Sequence, residues 1–293
     1  MLTVVVGLAS AFVFGTADFL GGLTAKRLGP VLATGLASAV GLIVFLLLAI
    51  AIPGRLSAEA LGYGAVSGVC GAIAIGLLYA CLAIGPMSIL SPLTAAVSAV
   101  VPVAVAVVRG ETISWLGWIG LALGVVAIVL VGFVKEEGAV RPSLRGVIMA
   151  IGSGIMIGTF LIVIDLAPDD SGVWPMIANR GTNAVVMLAL AGVLAAVAAA
   201  RRRGDAPRTA TDRRVVRIGL ALAAACGVVD AIANGGLLWG VRIGDLSVMG
   251  VLTALYPIGT IVLARFVLRE RIAPVQYAGL VLAIAAGALL ALG

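Results

Sequence analysis

The chain has 293 residues, of which 62% are hydrophobic and 11% charged, with a formal net charge of +6. Soluble domains carry about 45–50% apolar and about 25% charged residues, so this composition excludes a soluble enzyme and a nucleic-acid binder. The absence of histidine removes His-based acid–base catalysis, haem ligation and most zinc sites, and no cofactor, metal or catalytic residue is expected.

A helix crosses a bilayer core of about 30 Å with about 20 apolar residues. Ten such spans with short loops account for the whole length. The apolar runs predict helices over 2–20, 30–52, 61–83, 86–108, 115–134, 144–166, 173–200, 215–240, 245–265 and 273–292. Gly29-Pro30, Pro53-Gly54, Gly85-Pro86 and Pro168 punctuate the joints. The long polar stretch from Arg201 to Arg214 reads as a solvated loop. Asp18 interrupts the end of the first run and no basic segment precedes it, so a cleaved signal peptide is not expected. Cys70, Cys81 and Cys226 sit inside apolar runs without CxxC spacing and read as small packing residues.

The chain repeats itself. At a spacing of 159 residues Gly68 meets Gly227, Gly76 meets Gly235, Ser88 meets Ser247, Leu93-Thr94-Ala95 meets Leu252-Thr253-Ala254, and Glu111 meets Glu270. Nearer the start of each half the spacing is 143, so that Ser10 and Gly15-Thr16 meet Ser153 and Gly158-Thr159. The difference is largely absorbed by the arginine-rich loop. The expected fold is therefore an all-α integral membrane protein of ten transmembrane helices, built as two five-helix repeats over 1–137 and 143–293. Five is odd, so the copies must cross in opposite senses. Basic residues agree: Lys26, Arg27, Lys135, Arg141, Arg145, the seven arginines from Arg201 to Arg217, Arg265, Arg269 and Arg271 all fall on one face. The positive-inside rule makes that face, with the 201–217 loop, cytoplasmic and places both termini outside.

In these features the chain resembles the drug/metabolite transporter superfamily, and in particular EamA-type ten-helix permeases. The resemblance rests on the two five-helix halves, on Arg109-Gly110-Glu111 and Arg269-Glu270, and on Pro92, Pro102 and Pro257 in the fourth and ninth helices. Such permeases often carry an arginine in the second and seventh helices; here the seventh has Arg180 and the second has Ala37. The resemblance implies a transporter of a bacterial inner membrane that moves amino acids, nucleosides, sugars or their derivatives, mostly outward.

Polar groups at membrane depth carry the functional signal, because an Asp or Arg at a helix centre costs about 2.5–3.5 kcal/mol on insertion scales. Asp230 lies near the middle of the eighth helix with Asn234 one turn later on the same face. A carboxylate so placed is a candidate proton site, or one half of a fixed ion pair. Arg180, between Asn179 and Asn183, can fork onto a substrate carboxylate, neutralise Asp230, or snorkel to the interface. Asp18 and Asp165 read as solvated helix ends. Thr94 and Thr253, repeat-related and close to Pro92 and Pro257, either satisfy carbonyls freed by proline or line a pathway. Ser10, Thr16, Ser153 and Thr159 read as packing residues. Tyr79 and Trp239, repeat-related within one residue, suggest an aromatic pocket, whereas Trp115, Trp118 and Trp174 read as interfacial anchors. Glu111 and Glu270 suit the positive ends of the helices that follow them.

An intramembrane enzyme is disfavoured. Gly152-Ser153-Gly154 has no histidine to activate the serine, and Asp169-Asp170 has no second acidic cluster. No P-loop motif is present. The sequence thus points to a secondary transporter of small organic solutes, monomeric or homodimeric in the bilayer. Alternating access is expected from the repeats, the resemblance implies export of amino acids or related metabolites, and Asp230 is a candidate proton site; the alternative is a channel-like permease or uniporter.

Overall fold

The computed structural model of the chain describes residues 1–84, 87–110, 112–132, 143–201, 213–256, 259, 263 and 274–292. The α-helices with bounds among them are α1 (Leu2–Leu28), α2 (Pro30–Ala51), α3 (Ala58–Ile84), α4 (Met87–Val108), α5 (Trp115–Gly132), α6 (Leu144–Asp165), α7 (Trp174–Arg201), α8 (Arg213–Ile243), α9 (Leu246–Thr253) and α10 (Pro274–Leu292), and Gly259 and Leu263 are also helical. One 3-10 turn, Asp169–Ser171, precedes α7, and no strand occurs among the described residues. Stretches of α1, α2, α3, α6, α7 and α8 are long and apolar enough to cross a membrane, and shorter apolar stretches lie at Leu93–Val105 and Trp115–Ala127. Large apolar side chains such as Leu47, Ile50, Val185 and Val193 face outward, as a surface solvated by acyl chains requires. The protein is a multi-pass membrane protein.

Local chemistry sets the helix ends. Ser57, Ser114 and Ser143 accept hydrogen bonds from the N–H groups of Ala60, Gly117 and Gly146, capping the starts of α3, α5 and α6. Between α1 and α2 the chain turns at Gly29, whose φ of 81° is open to glycine at little cost, and Pro30 supplies the first turn of α2. Two helices depart from the sequence expectation. α1 runs to Leu28 rather than stopping near residue 20, because no proline intervenes before Pro30; Thr24 and Arg27 bond back to the carbonyls of Leu20 and Leu23. The expected helix over 245–265 is interrupted: α9 ends at Thr253 and a turn follows at 254–256. Pro257, next in sequence, has no N–H to offer the Thr253 carbonyl, which instead accepts from the N–H of Tyr256 at 3.1 Å.

Helices of the first half pack mainly on helices of the second. The closest-packed pairs are α1 with α8, α5 with α10, α3 with α6 and α7, α4 with α6, and α2 with α7 and α8. Small residues make this possible, since helices in lipid gain from close van der Waals approach rather than from the hydrophobic effect. A Cβ added to Gly68 in α3 would lie 2.6 Å from the Asn179 carbonyl oxygen of α7. One added to Gly227, its repeat mate in α8, would press on the Ala37 carbonyl oxygen of α2. Hydroxyls add stitches: Ser153 donates to the Ala74 carbonyl at 2.8 Å, linking α6 to α3. Thr16 and Thr159, repeat-related, each bond back within their own helix to the carbonyls of Phe12 and Ile155.

At one end of the bundle polar contacts tie the halves together. Arg109, just beyond α4, pairs with Asp165 at the end of α6 at 2.6 Å, so this aspartate is an ion-pair partner rather than a freely solvated helix end. The N–H of Arg55 donates to the Asp170 carbonyl at 2.8 Å, and the indole of Trp174 donates to the Gly54 carbonyl at 3.1 Å. Near the end of α8, Arg242 donates to the Ser171 hydroxyl at 2.9 Å. Thr3 at the start of α1 donates to the Ile243 carbonyl at 3.3 Å. Glu111, Glu270, Pro257, most of the 201–217 loop and the 265–271 basic cluster lie outside the described residues.

Interdigitation at Gly68 is tested by Gly68→Val. Overpacking of this kind costs about 1–3 kcal/mol, so the thermal unfolding midpoint in detergent falls by several degrees. Gly62→Ala, at a position with no neighbouring atom within 4 Å, leaves it unchanged or slightly higher. Equal midpoints for the two variants would contradict the close approach of α3 and α7.

Candidate functional site

Helix α7 carries three polar residues within five positions, Asn179, Arg180 and Asn183, into the bundle, and each meets a different neighbour. The Asn179 amide donates to the Ser67 hydroxyl of α3 at 2.8 Å, and Ser67 in turn donates to the Gly64 carbonyl at 2.7 Å. Asn183 accepts from the Ser38 hydroxyl of α2 at 3.2 Å. Between them Arg180 reaches Asp230 of α8, Nη1 to Oδ2 at 2.9 Å. Arg180 thus has an internal partner and also lines the cavity described below.

The ion pair is nearly sequestered, with side-chain exposures of 10% for Arg180 and 22% for Asp230. Asn234, one turn along α8, donates its amide to Asp230 Oδ1 at 3.1 Å and to the Asp230 carbonyl at 2.8 Å. Both carboxylate oxygens are therefore engaged, which is what holds a charge in an apolar interior. Three polar atoms around the pair have no partner among the described residues: Arg180 Nε, Asn234 Oδ1 and Thr253 Oγ1. A protein interior seldom leaves such atoms idle without a ligand or water to meet them.

These residues border a cavity of about 170 Å³, and a smaller one of about 70 Å³ shares part of its lining. Arg180, Asp230 and Asp18 line both. Of the residues singled out in the sequence, Arg180, Asn183, Asp230, Asn234 and Thr253 are all on the wall of the larger cavity. Thr94 is not. It is fully buried and donates to the Ala150 carbonyl at 3.2 Å, fastening α4 to α6; the two repeat-related threonines thus serve different ends. Trp239 is 51% exposed and off the cavity wall, because it projects from α8 on a different side from Asp230 and Asn234. The Tyr79 side chain lies outside the described residues. The aromatic lining comes instead from Phe14, Phe160 and Tyr256.

Asp18 is the residue that sequence reasoning misplaced. Ending α1 near residue 20 made it a solvated helix end, whereas the extra two turns to Leu28 carry it inward. The available signal was the lack of any proline between Asp18 and Pro30; the chain stays helical through Gly21-Gly22. The break after Thr253 was also foreshadowed, by Pro257. It brings Thr253 and Tyr256 to the cavity, where non-helical backbone at membrane depth is tolerated.

Removing one partner of a buried pair leaves the other charge unmatched, at a cost of about 3–5 kcal/mol. Arg180→Leu and Asp230→Leu should each fall in this range, and the double substitution should cost clearly less than their sum. Unfolding of the four proteins in detergent measures the coupling; simple additivity would mean that the pair is not formed.

The EamA-like transporter family matches residues 1–133 and 144–292 of the chain. Among solved structures, one titled "Crystal structure of protein" superposes with a TM-score of 0.75 at 16% sequence identity. The match covers 99% of this chain and 96% of that one, a likeness of fold. No curated protein matches the sequence. With both halves matched, the chain belongs to the EamA-like transporter family, membrane transporters of the drug/metabolite type.

Proposed function

We propose that the protein is a secondary transporter that carries a small organic solute through the central cavity by alternating access of two inverted five-helix repeats. The observation that carries this reading is the composition of the cavity wall. At the spacings of the internal repeat, Phe14 corresponds to Ile157, Asp18 to Leu161, Gly71 to Asp230, and Ile75 to Asn234. All eight residues line the larger cavity. A cavity walled by corresponding positions of two halves lies on the axis that would relate them, where inverted-repeat transporters hold their substrates. The helix packing supports the same relation, since α1 on α8 corresponds to α6 on α3, and α3 on α7 to α8 on α2.

Alternating access requires one end to be closed while the other admits solute. The polar ties Arg109–Asp165, Arg55–Asp170 and Trp174–Gly54 join the halves at a single end, and the basic clusters belong to loops of the opposite end. With the basic end cytoplasmic, these ties fasten the outer end, as an exporter that loads from the inside needs. Export of amino acids or related metabolites follows from the family tendency, and a proton gradient or the solute gradient alone drives it.

Efflux from cells expressing the wild type or Asp230→Asn, across an amino-acid and nucleoside panel with and without a protonophore, tests the reading. The expected result is saturable export of one solute class. A loss of tenfold or more with both the substitution and the protonophore, at equal membrane expression, assigns proton coupling to Asp230. Efflux that survives both makes the chain a uniporter with a structural ion pair, and non-saturable flux makes it a channel.

A further inference from the structure

Asp18 stands apart from the other charges of the bundle. It lines both cavities, it is exposed to them, and no hydrogen bond or ion pair engages it among the described residues. Among the described residues Arg180 is the only cation on either cavity wall, and it is already paired with Asp230. Two carboxylates against one guanidinium leave the lining one positive charge short. Two further acceptors on the same wall, Asn234 Oδ1 and Thr253 Oγ1, belong to side chains more than nine-tenths buried and without a partner among the described residues.

What is missing is a cation that donates several hydrogen bonds. We propose that Asp18 is the counter-ion for the ammonium group of a small amphipathic amine. A primary ammonium has three N–H donors, and the wall offers the Asp18 carboxylate, Asn234 Oδ1 and Thr253 Oγ1. One turn before Asp18 on the same face of α1 lies Phe14, which with Phe160 and Tyr256 gives the cavity aromatic faces suited to cation–π contact and to an apolar body. The lining from α6 and α3 includes apolar Ile157 and Leu161, and Ile75 and Leu78. A charged head against α1 and α8 and an apolar body against α3 and α6 is the matching shape. An apolar cavity of about 150 Å³ holds a benzene ring, so about 170 Å³ suits a solute of on the order of ten non-hydrogen atoms.

This inference rests on the transport reading for its purpose but not for its test. Three probes of similar size and different charge are compared by calorimetry on the purified full-length chain: phenethylamine, phenylacetate and toluene. Phenethylamine is expected to bind the wild type at least tenfold more tightly than either of the others. Asp18→Asn should lose tenfold or more of that affinity, and Asp18→Glu, which restores the charge, should recover most of it. Monodisperse elution of both variants, with unfolding midpoints near the wild type, separates loss of the site from loss of the fold. Equal affinity of Asp18→Asn and wild type for phenethylamine, absence of phenethylamine binding, or preference for phenylacetate each overturns the assignment. The two readings fail separately. Phenethylamine binding that depends on Asp18 in a chain that moves no solute keeps the site and removes transport. Saturable export of uncharged solutes unaffected by Asp18→Asn keeps transport and removes the site.

Discussion

A guanidinium and a carboxylate held 2.9 Å apart inside an apolar bundle set the terms for everything around them. Neither charge is tolerable there alone. Arg180 must arrive on α7 at the depth where Asp230 arrives on α8, and this fixes the relative height of two of the longest helices. The flanking asparagines extend the constraint: Asn179 is bound to Ser67 of α3 and Asn183 to Ser38 of α2. Four helices thus meet through polar contacts at one level, and Arg180 and Asp230 of that level line both cavities. The ion pair is both a fastening of the fold and a border of the site.

Such a node can form only if the helices come close. In lipid the backbone must satisfy itself, which favours long uninterrupted helices, and association depends on small residues at the crossings. Gly68 against Asn179 sits one residue before Arg180, so the α3–α7 approach and the position of the guanidinium are one packing event. Gly227 against Ala37 and Val40 does the same for α8, less than one turn before Asp230. Enlarging either glycine would move a charge as well as a helix.

The parts legible in the sequence are those where the cost of error is largest. Charges and amides at membrane depth are expensive enough to be conspicuous, and Arg180, Asn183, Asp230, Asn234 and Thr253 all prove to face one cavity. Helix identity was legible for the same reason, since long apolar runs admit little else. What escaped depends on smaller energies. The end of α1 is set by one positive-φ glycine and a proline rather than by hydropathy, and an eight-residue overrun moved Asp18 from an apparent helix end to the cavity. The side of α8 from which Trp239 projects is decided by neighbours that one helix cannot declare. Which of three partners Arg180 takes is likewise invisible until α8 is set beside α7.

The repeat and the site obey different rules. Packing positions are kept in both copies, as with Gly68 and Gly227 or Thr16 and Thr159, because crossings of the same geometry need the same small or self-satisfied residues. Charged positions are not kept. Asp230 answers to Gly71, Asp18 to Leu161 and Arg180 to Ala37. A strict copy of the charges would place a second buried pair and a second free carboxylate around about 170 Å³, each with its own desolvation cost. Concentrating the polar groups on α1, α7 and α8 and leaving α3 and α6 apolar avoids that cost. It also leaves the charged groups of the cavity lining on α1, α7 and α8, while α3 and α6 supply apolar side chains.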